Sequence, residues 1–335
     1  MAFSKFFGFQ KNIVQADPQP EAQVKSVSLK RGRNSRFEAT LKTLDVEETI
    51  DLYFFRPLGY FFARVFQKLG VTPNTVTFAS IVIGVLAGHL FYYQNLAINV
   101  VGIVLFLLAD IFDSADGQLA RMSGASSKFG RILDGIAGNL IFSSIYVHIC
   151  LRLIEQGYHP LVFLLALVAG ISHSFQSAMS DYYRNAYLRF VNGKGELDSK
   201  SKVAEEYRSY RWFSRGAGKK LMLRTYLNYT SQQEFLSRNF QRLCEAVVRV
   251  YGNKLPSSFS GLYSMKNKPM MRLYSTLSTN LRIIVMFIVI ILDRVVLYLW
   301  FEILVLNVSL AITLILQERI NGNLVEWVES HPEAA

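Results

Sequence analysis

Apolar residues along this chain fall in long unbroken blocks rather than in alternating stripes. The first block runs over 72–93, "TPNTVTFASIVIGVLAGHLFYY", and the second over 97–116, "AINVVGIVLFLLADIFDSAD". Further blocks occupy 131–151 and 160–181, and a last pair, 273–292 and 296–316, makes a hairpin around Asp293 and Arg294. Each block has roughly the 20 residues that a helix needs to cross a hydrocarbon core. The pattern predicts an all-α integral membrane protein with six transmembrane helices. Thr72 is suited to cap the first of them, and Pro73 to open its first turn.

The remaining segments read differently. In 48–69, "ETIDLYFFRPLGYFFARVFQKL", aromatic residues share one face, with Arg56, Arg64 and Lys68 elsewhere. That arrangement predicts an N-terminal amphipathic helix within 46–71 lying in the membrane interface. Residues 1–45 are polar and basic, lack the apolar core of a signal peptide, and are expected to be disordered. The first four spans and the candidate site then occupy 72–182, and the last two spans 273–318. The long insert at 183–272 is basic and aromatic, and Leu236, Phe240, Leu243, Val247 and Tyr251 recur in it at helical spacing. Residues 319–335 form a closing tail.

Charge adds an orientation. The chain has 335 residues, is 51% apolar and carries a net charge of +11. Of its 36 Lys and Arg, 11 precede residue 73 and 18 lie in 184–272. Arg121, Lys128 and Arg131 fall between the second and third blocks, whereas the opposite-side connections offer Arg152 and Arg294. The positive-inside bias therefore puts both termini, the 117–131 connection and the insert in the cytoplasm, in a bacterial cytoplasmic membrane. So basic an insert could bind nucleic acid, but beside membrane spans attraction to anionic lipid explains its charge more simply, and no nucleic-acid partner is expected. Cys150 and Cys244 have no metal or redox spacing and read as unpaired thiols. His148 and His173 lie mid-span and read as bundle histidines.

The candidate chemistry sits in 110–139, "DIFDSADGQLARMSGASSKFGRILDGIAGN". Asp113 and Asp116, three residues apart, share one helix face, and Asp110 lies a turn earlier on broadly the same side. Asp134 opens the third block, four residues after Gly130. Ionisable groups in or beside a span are costly and by default mark a site. Hard oxygen ligands without His or Cys nearby point to Mg2+ or Mn2+, and a divalent ion among carboxylates points to phosphate chemistry. Gly117, Ala120 and Gly130 leave room for a bulky group near the backbone, and Arg121 could grip a phosphate oxygen. A channel or transporter is the rival from another class, but the acids gather at one rim and leave the midplanes nearly acid-free.

Asp113-x-x-Asp116-Gly117-x-x-Ala120-Arg121, then eight residues, then Gly130-x-x-x-Asp134, resembles the signature of the CDP-alcohol phosphotransferases at seven of its eight fixed positions. The likeness extends over roughly 50–318, because "TPNTVT" and a six-helix core also look like that family. The resemblance implies a CDP-linked lipid donor, CDP-diacylglycerol being favoured by the six-helix size, and an alcohol acceptor whose hydroxyl displaces CMP in phospholipid synthesis. It also implies metal ligation by Asp113, Asp116 and Asp134, a CMP pocket lined by Gly117, Ala120, Arg121 and Gly130, and a homodimer. The chain departs at the eighth position, where the family has an aspartate proposed as general base and this sequence has Gly138 followed by Asn139. Three readings follow: another carboxylate, Asp110 first and Asp181 next, or a metal-bound hydroxide serves as base alongside the catalytic Asp134; Gly138 makes room for a large or phosphorylated acceptor whose own phosphate takes the proton; or the chain binds CDP-lipid without turnover.

Overall fold

The computed structural model describes residues 35–332, except 39, 42, 44, 196, 212–216 and 253. The tail expected over 1–45 therefore lies largely outside the described residues. Among the described residues the chain is helical and forms no strand. A π-helical turn at Asp51–Phe55 leads into α1 (Arg56–Lys68). Four long helices follow: α2 (Pro73–Leu90), α3 (Leu96–Ser123), α4 (Lys128–Glu155) and α5 (Val162–Asn192). The insert supplies α6 (Lys200–Ser209), α7 (Ala217–Phe235), α8 (Arg238–Tyr251) and α9 (Ser257–Ser275). Then come α10 (Thr279–Ile291), α11 (Val296–Trp300) and α12 (Leu306–Ser330), the last two joined by a π-helical turn at Phe301–Val305. Six stretches are long and apolar enough to cross a membrane: 73–90, 96–123, 128–155, 162–192, 257–291 and 296–330.

Local chemistry sets the helix ends. Thr72 Oγ1 accepts from the Thr75 amide at 3.3 Å with Pro73 in the first turn, and Asn95 caps α3 through the Ile98 amide at 3.2 Å. Gly124 ends α3 in the left-handed conformation at φ 65°, where a side chain would be strained, and Ser127 starts α4 by accepting from the Gly130 amide at 3.0 Å. The non-helical connection shrinks to residues 124–127, shorter than the predicted 117–131. Polarity alone does not stop a helix; the stop comes from the glycine and the serine cap. The candidate site therefore rests on two rigid helices.

α2 packs against both α3 and α4. A Cβ on Gly84 would lie 2.6 Å from Ile141 Cδ1, and one on Gly88 would lie 3.0 Å from the Ile145 backbone nitrogen. This four-residue glycine spacing is what close helix contact in lipid requires. α1 crosses α3 at Gly59, where a Cβ would come 3.2 Å from the Ala115 nitrogen. Phe55, Gly59 and Ala63 of this segment are buried, whereas Phe54, Leu58, Phe61, Val65 and Leu69 stay exposed at helical spacing. An apolar stripe turned away from the bundle suits a helix lying at the membrane surface. Phe78, Val82 and Leu86 of α2 are likewise exposed, as lipid-facing positions of a span would be.

A second core gathers around the C-terminal part of α5. Tyr183, Tyr187, Phe240, Tyr263 and Tyr274 are buried there together with Leu324 of α12. The periodic face read in the insert turns inward as Phe240, Leu243, Val247 and Tyr251, with Leu236 partly buried against them.

Glu302, within the last apolar block, is buried inside the bundle. Its carboxylate is fully buried and pairs with Arg282 Nε at 3.1 Å, while Tyr298 donates to it at 2.8 Å. Arg282 also donates to Gln176 Oε1 at 2.6 Å. His173 sits beside this network, 3.0 Å from the Tyr146 hydroxyl, and His148 contacts the Ser144 carbonyl and His89. Cys150 and Cys244 are separate buried thiols.

Candidate active site

The site forms where the N-terminus of α2, the last turns of α3 and the first turns of α4 converge. Asp113 on α3 and Asp134 on α4 bring their carboxyl groups into hydrogen-bonding contact across the helix pair. Asp116, one turn along α3, is buried and accepts from Thr77 Oγ1 of α2 at 2.5 Å. Asp134 also lies within electrostatic reach of Asp116. Asp110 is near Asp134 too, but its strongest charged neighbours are Asp51 and Arg56. The structure thus brings all four acids of the motif to the same stretch of the α3–α4 pair.

Arg121 follows on the same side. Its Nη1 lies 3.5 Å from where a Gly117 Cβ would stand, so the glycine gives the guanidinium its place. Nε donates to the Thr40 carbonyl at 2.6 Å, while Nη2 is buried without a partner among the described residues. A buried donor left unmatched costs about 1–3 kcal/mol, which an incoming phosphate oxygen would offset. Ala120 is half-buried beside it. A Cβ on Gly130 would sit 3.3 Å from Ser127 Oγ and 3.5 Å from Asn74 Oδ1, so this glycine keeps the start of α4 close to that of α2. Gly138 behaves otherwise: it is exposed, and a Cβ there would meet nothing within 4 Å.

Among the described residues, no three acid, imidazole or thiol groups already close on a single point. The donor set still fits a hard divalent cation. It offers carboxylate oxygens alone, and two carboxylates in contact repel unless a positive charge sits between them.

The segment before α1 supplies groups that the motif does not contain. Arg56 Nε pairs with Glu47 at 3.1 Å, and its Nη1 donates to Ser114 Oγ at 3.3 Å. Glu48 pairs with Arg184 of α5 at 2.6 Å and accepts from Asn280 at 2.8 Å. Asn280 also donates to Asp51 at 2.9 Å. Burial raises the Asp51 carboxyl above its ordinary range; the Asn280 hydrogen bond opposes this and the nearby Glu48 adds to it. A polar cavity opens between this segment and α5, lined by Val46, Glu47, Asp51, Arg56, Asp181, Arg184, Asn185 and Leu188. Helix α7 reaches the same region through Tyr229, which donates to Asp181 Oδ2 at 3.1 Å; separately, Lys128 of α4 pairs with Glu206 of α6 at 2.5 Å.

Sequence reasoning missed Thr77, Arg56, Asp51 and Tyr229. Thr77 could have been found, since it closes the "TPNTVT" stretch. The others come from segments remote in the chain, with no spacing to tie them to the acids.

Residues 70–186 match the family model described as CDP-alcohol phosphatidyltransferase. An archaetidylinositol phosphate synthase of Pyrococcus horikoshii is 40% identical over 88 residues, covering 26% of this chain and 45% of that protein. A CDP-diacylglycerol–glycerol-3-phosphate 3-phosphatidyltransferase of Rickettsia typhi is 35% identical over 75 residues, or 22% and 42% of the two chains. A bifunctional IPC transferase and DIPP synthase of Thermococcus kodakarensis is 29% identical over 131 residues, or 37% and 29%. The chain spans about half or less of the length of these curated relatives. No solved structure matches it.

Proposed function

We propose that this chain, whose residues 70–186 form a CDP-alcohol phosphatidyltransferase domain, moves a phosphatidyl or related phospho-alcohol group from a CDP-linked lipid, CDP-diacylglycerol by preference, to an alcohol acceptor and releases CMP. The observation that carries this reading is the contact of Asp113 with Asp134 across α3 and α4, with Asp116 beside them and, next in line, an Arg121 Nη2 that has no partner among the described residues. The Lys and Arg distribution supports a setting in a bacterial cytoplasmic membrane with both termini on the cytoplasmic side. A homodimer rests on the family resemblance.

Asp113, Asp116 and Asp134 would hold Mg2+ or Mn2+, which neutralises a pyrophosphate and the nucleotide leaving from it. Arg121 donates to a phosphate oxygen, and its fixed position means little reorganisation on binding. Gly117, Ala120 and Gly130 line the space beside it for the CMP portion. The acceptor's proton has two nearby destinations, Asp110 on α3 and Asp181 on α5. The polar cavity between α5 and the segment before α1 is the side from which a hydroxylated acceptor reaches them.

The test is CMP release by purified protein given Mn2+, CDP-diacylglycerol and a panel of alcohols and polyol phosphates. Turnover is expected with at least one acceptor, abolished by EDTA and reduced to background by Asp113→Asn or Asp134→Asn. Tight CDP-lipid binding without CMP from any acceptor would make the chain a binder rather than a transferase. Failure to bind either metal or nucleotide would sink the site itself.

A further inference from the structure

Gly138 leaves the site without the carboxylate that would receive the acceptor's proton one turn beyond Asp134. Most acids nearby are already committed. Asp113 and Asp134 contact each other, and Asp116 holds Thr77. Glu47 pairs with Arg56, Glu48 pairs with Arg184, and Asp51 is held by Asn280. Asp110 has Asp51 and Arg56 as its nearest charges and is not among the residues that line the polar cavity.

Asp181 differs in its surroundings. Its Oδ1 accepts from Asn185 Nδ2 at 3.0 Å and its Oδ2 from Tyr229 at 3.1 Å, both neutral donors. These two bonds fix the orientation of the carboxylate at the wall of the polar cavity, where each oxygen keeps a further lone pair. Tyr229 comes from α7 of the insert and lies within electrostatic reach of Asp134 as well as of Asp181, so it links the cavity to the acid cluster. Burial, then the charge of Asp181, holds its phenol well above the ordinary range, and it stays a donor at any working pH. The groups facing this corner are Tyr226 and Tyr229 of α7, Arg184 and Asn185 of α5, Arg131 and Asp134 of α4, and Glu47, Asp51 and Arg56 before and in α1.

We propose that Asp181 is the proton acceptor of this chain, standing in for the carboxylate absent at position 138, and that Tyr229 is its positioning residue. The assignment rests on the transferase reading above. In the step, the acceptor hydroxyl gives its proton to Asp181 as its oxygen bonds the phosphorus nearer the lipid. The bond from that phosphorus to the bridging oxygen breaks, and the electron pair leaves with CMP.

The experiment compares wild type with Asp181→Asn, Asp110→Asn, Tyr229→Phe and the double variant Asp181→Asn/Gly138→Asp. CMP release, CDP-lipid binding and the pH profile are measured for each. Asp181→Asn is expected to lose roughly 10²–10⁴-fold in kcat, the usual contribution of general-base assistance, with CDP-lipid affinity unchanged and the acidic limb of the profile gone. Tyr229→Phe should lower kcat less and displace that limb. Gly138→Asp in the Asp181→Asn background should restore turnover, because the space at 138 is open. Asp181→Asn within threefold of wild type, or a larger kcat loss in Asp110→Asn, overturns the assignment. So does a loss of CDP-lipid binding in Asp181→Asn, which would mark a structural role. A wild type that binds CDP-lipid but releases no CMP overturns the transferase reading, and this assignment with it.

Discussion

At the scale of single residues, the site is a case of spacing converted into proximity. Asp113 and Asp116 share a face of α3, and Asp134 meets them because α4 begins directly after a glycine stop and a serine cap. That much was legible, since three- and four-residue intervals on helices dictate which side chains align. Arg56 and Tyr229 were not, because they reach the site from other elements and only tertiary packing brings them there. Gly138 shows the limit from the other side: its identity was plain, but whether it filled a tight contact or faced open space was not. With no atom within 4 Å of its would-be Cβ, Gly138→Asp in the otherwise wild-type chain should fold normally and keep or raise the rate of CMP release. A sharp fall in activity at unchanged melting temperature would instead mean that the acceptor itself uses this space.

At the scale of elements, the helices were legible as blocks, while their contacts and exact lengths were not. The polar stretch after Asp116 looked like a connection by composition, yet it continues α3 to Ser123, because polar side chains such as Gln118 and Arg121 find partners outside it, on the Arg56 and Thr40 carbonyls. The α2–α4 contact depends on two glycines that differ in what they face. At Gly84 the nearest atoms all belong to the Ile141 side chain, Cδ1 at 2.6 Å and both γ carbons within 3.0 Å; at Gly88 the Ser144 side chain is joined by the Ile145 backbone nitrogen at 3.0 Å, which no rotamer change can move. Gly88→Ala should therefore destabilise the protein more than Gly84→Ala, by about 1–3 kcal/mol as for other overpacked contacts. Thermal unfolding in detergent checks the ranking, and equal melting temperatures for the two variants would refute it. Because α2 carries Thr77 to Asp116, Gly88→Ala should also weaken CDP-lipid binding more than Gly84→Ala does.

At the scale of the whole molecule, two cores share α5. One lies within the spanning bundle, and the other packs α8, α9 and α12 around the helix's C-terminal extension. The insert's role in that second core was only partly legible, since of its four helices α8 alone carries a clean apolar stripe; α7 is attached through polar side chains such as Gln232 and Gln233. Between the cores, α10 is tied to α5 and to the π-helical turn before α12 by Arg282, Gln176 and Glu302. The pair was invisible to a reading of hydropathy, because one acid and one base 20 residues apart barely dent an apolar average. Burying both charges gives little net stability, whereas removing one strands the other without compensation, at a cost of about 3–5 kcal/mol. Glu302→Gln should thus lower the melting temperature strongly, while Arg282→Met combined with Glu302→Gln should cost clearly less than the sum of the two single changes. Additive losses in that cycle would mean that the pair is not coupled. The same single variant should leave the metal affinity of the folded fraction unchanged, since none of the motif's four acids is among the partners of Glu302.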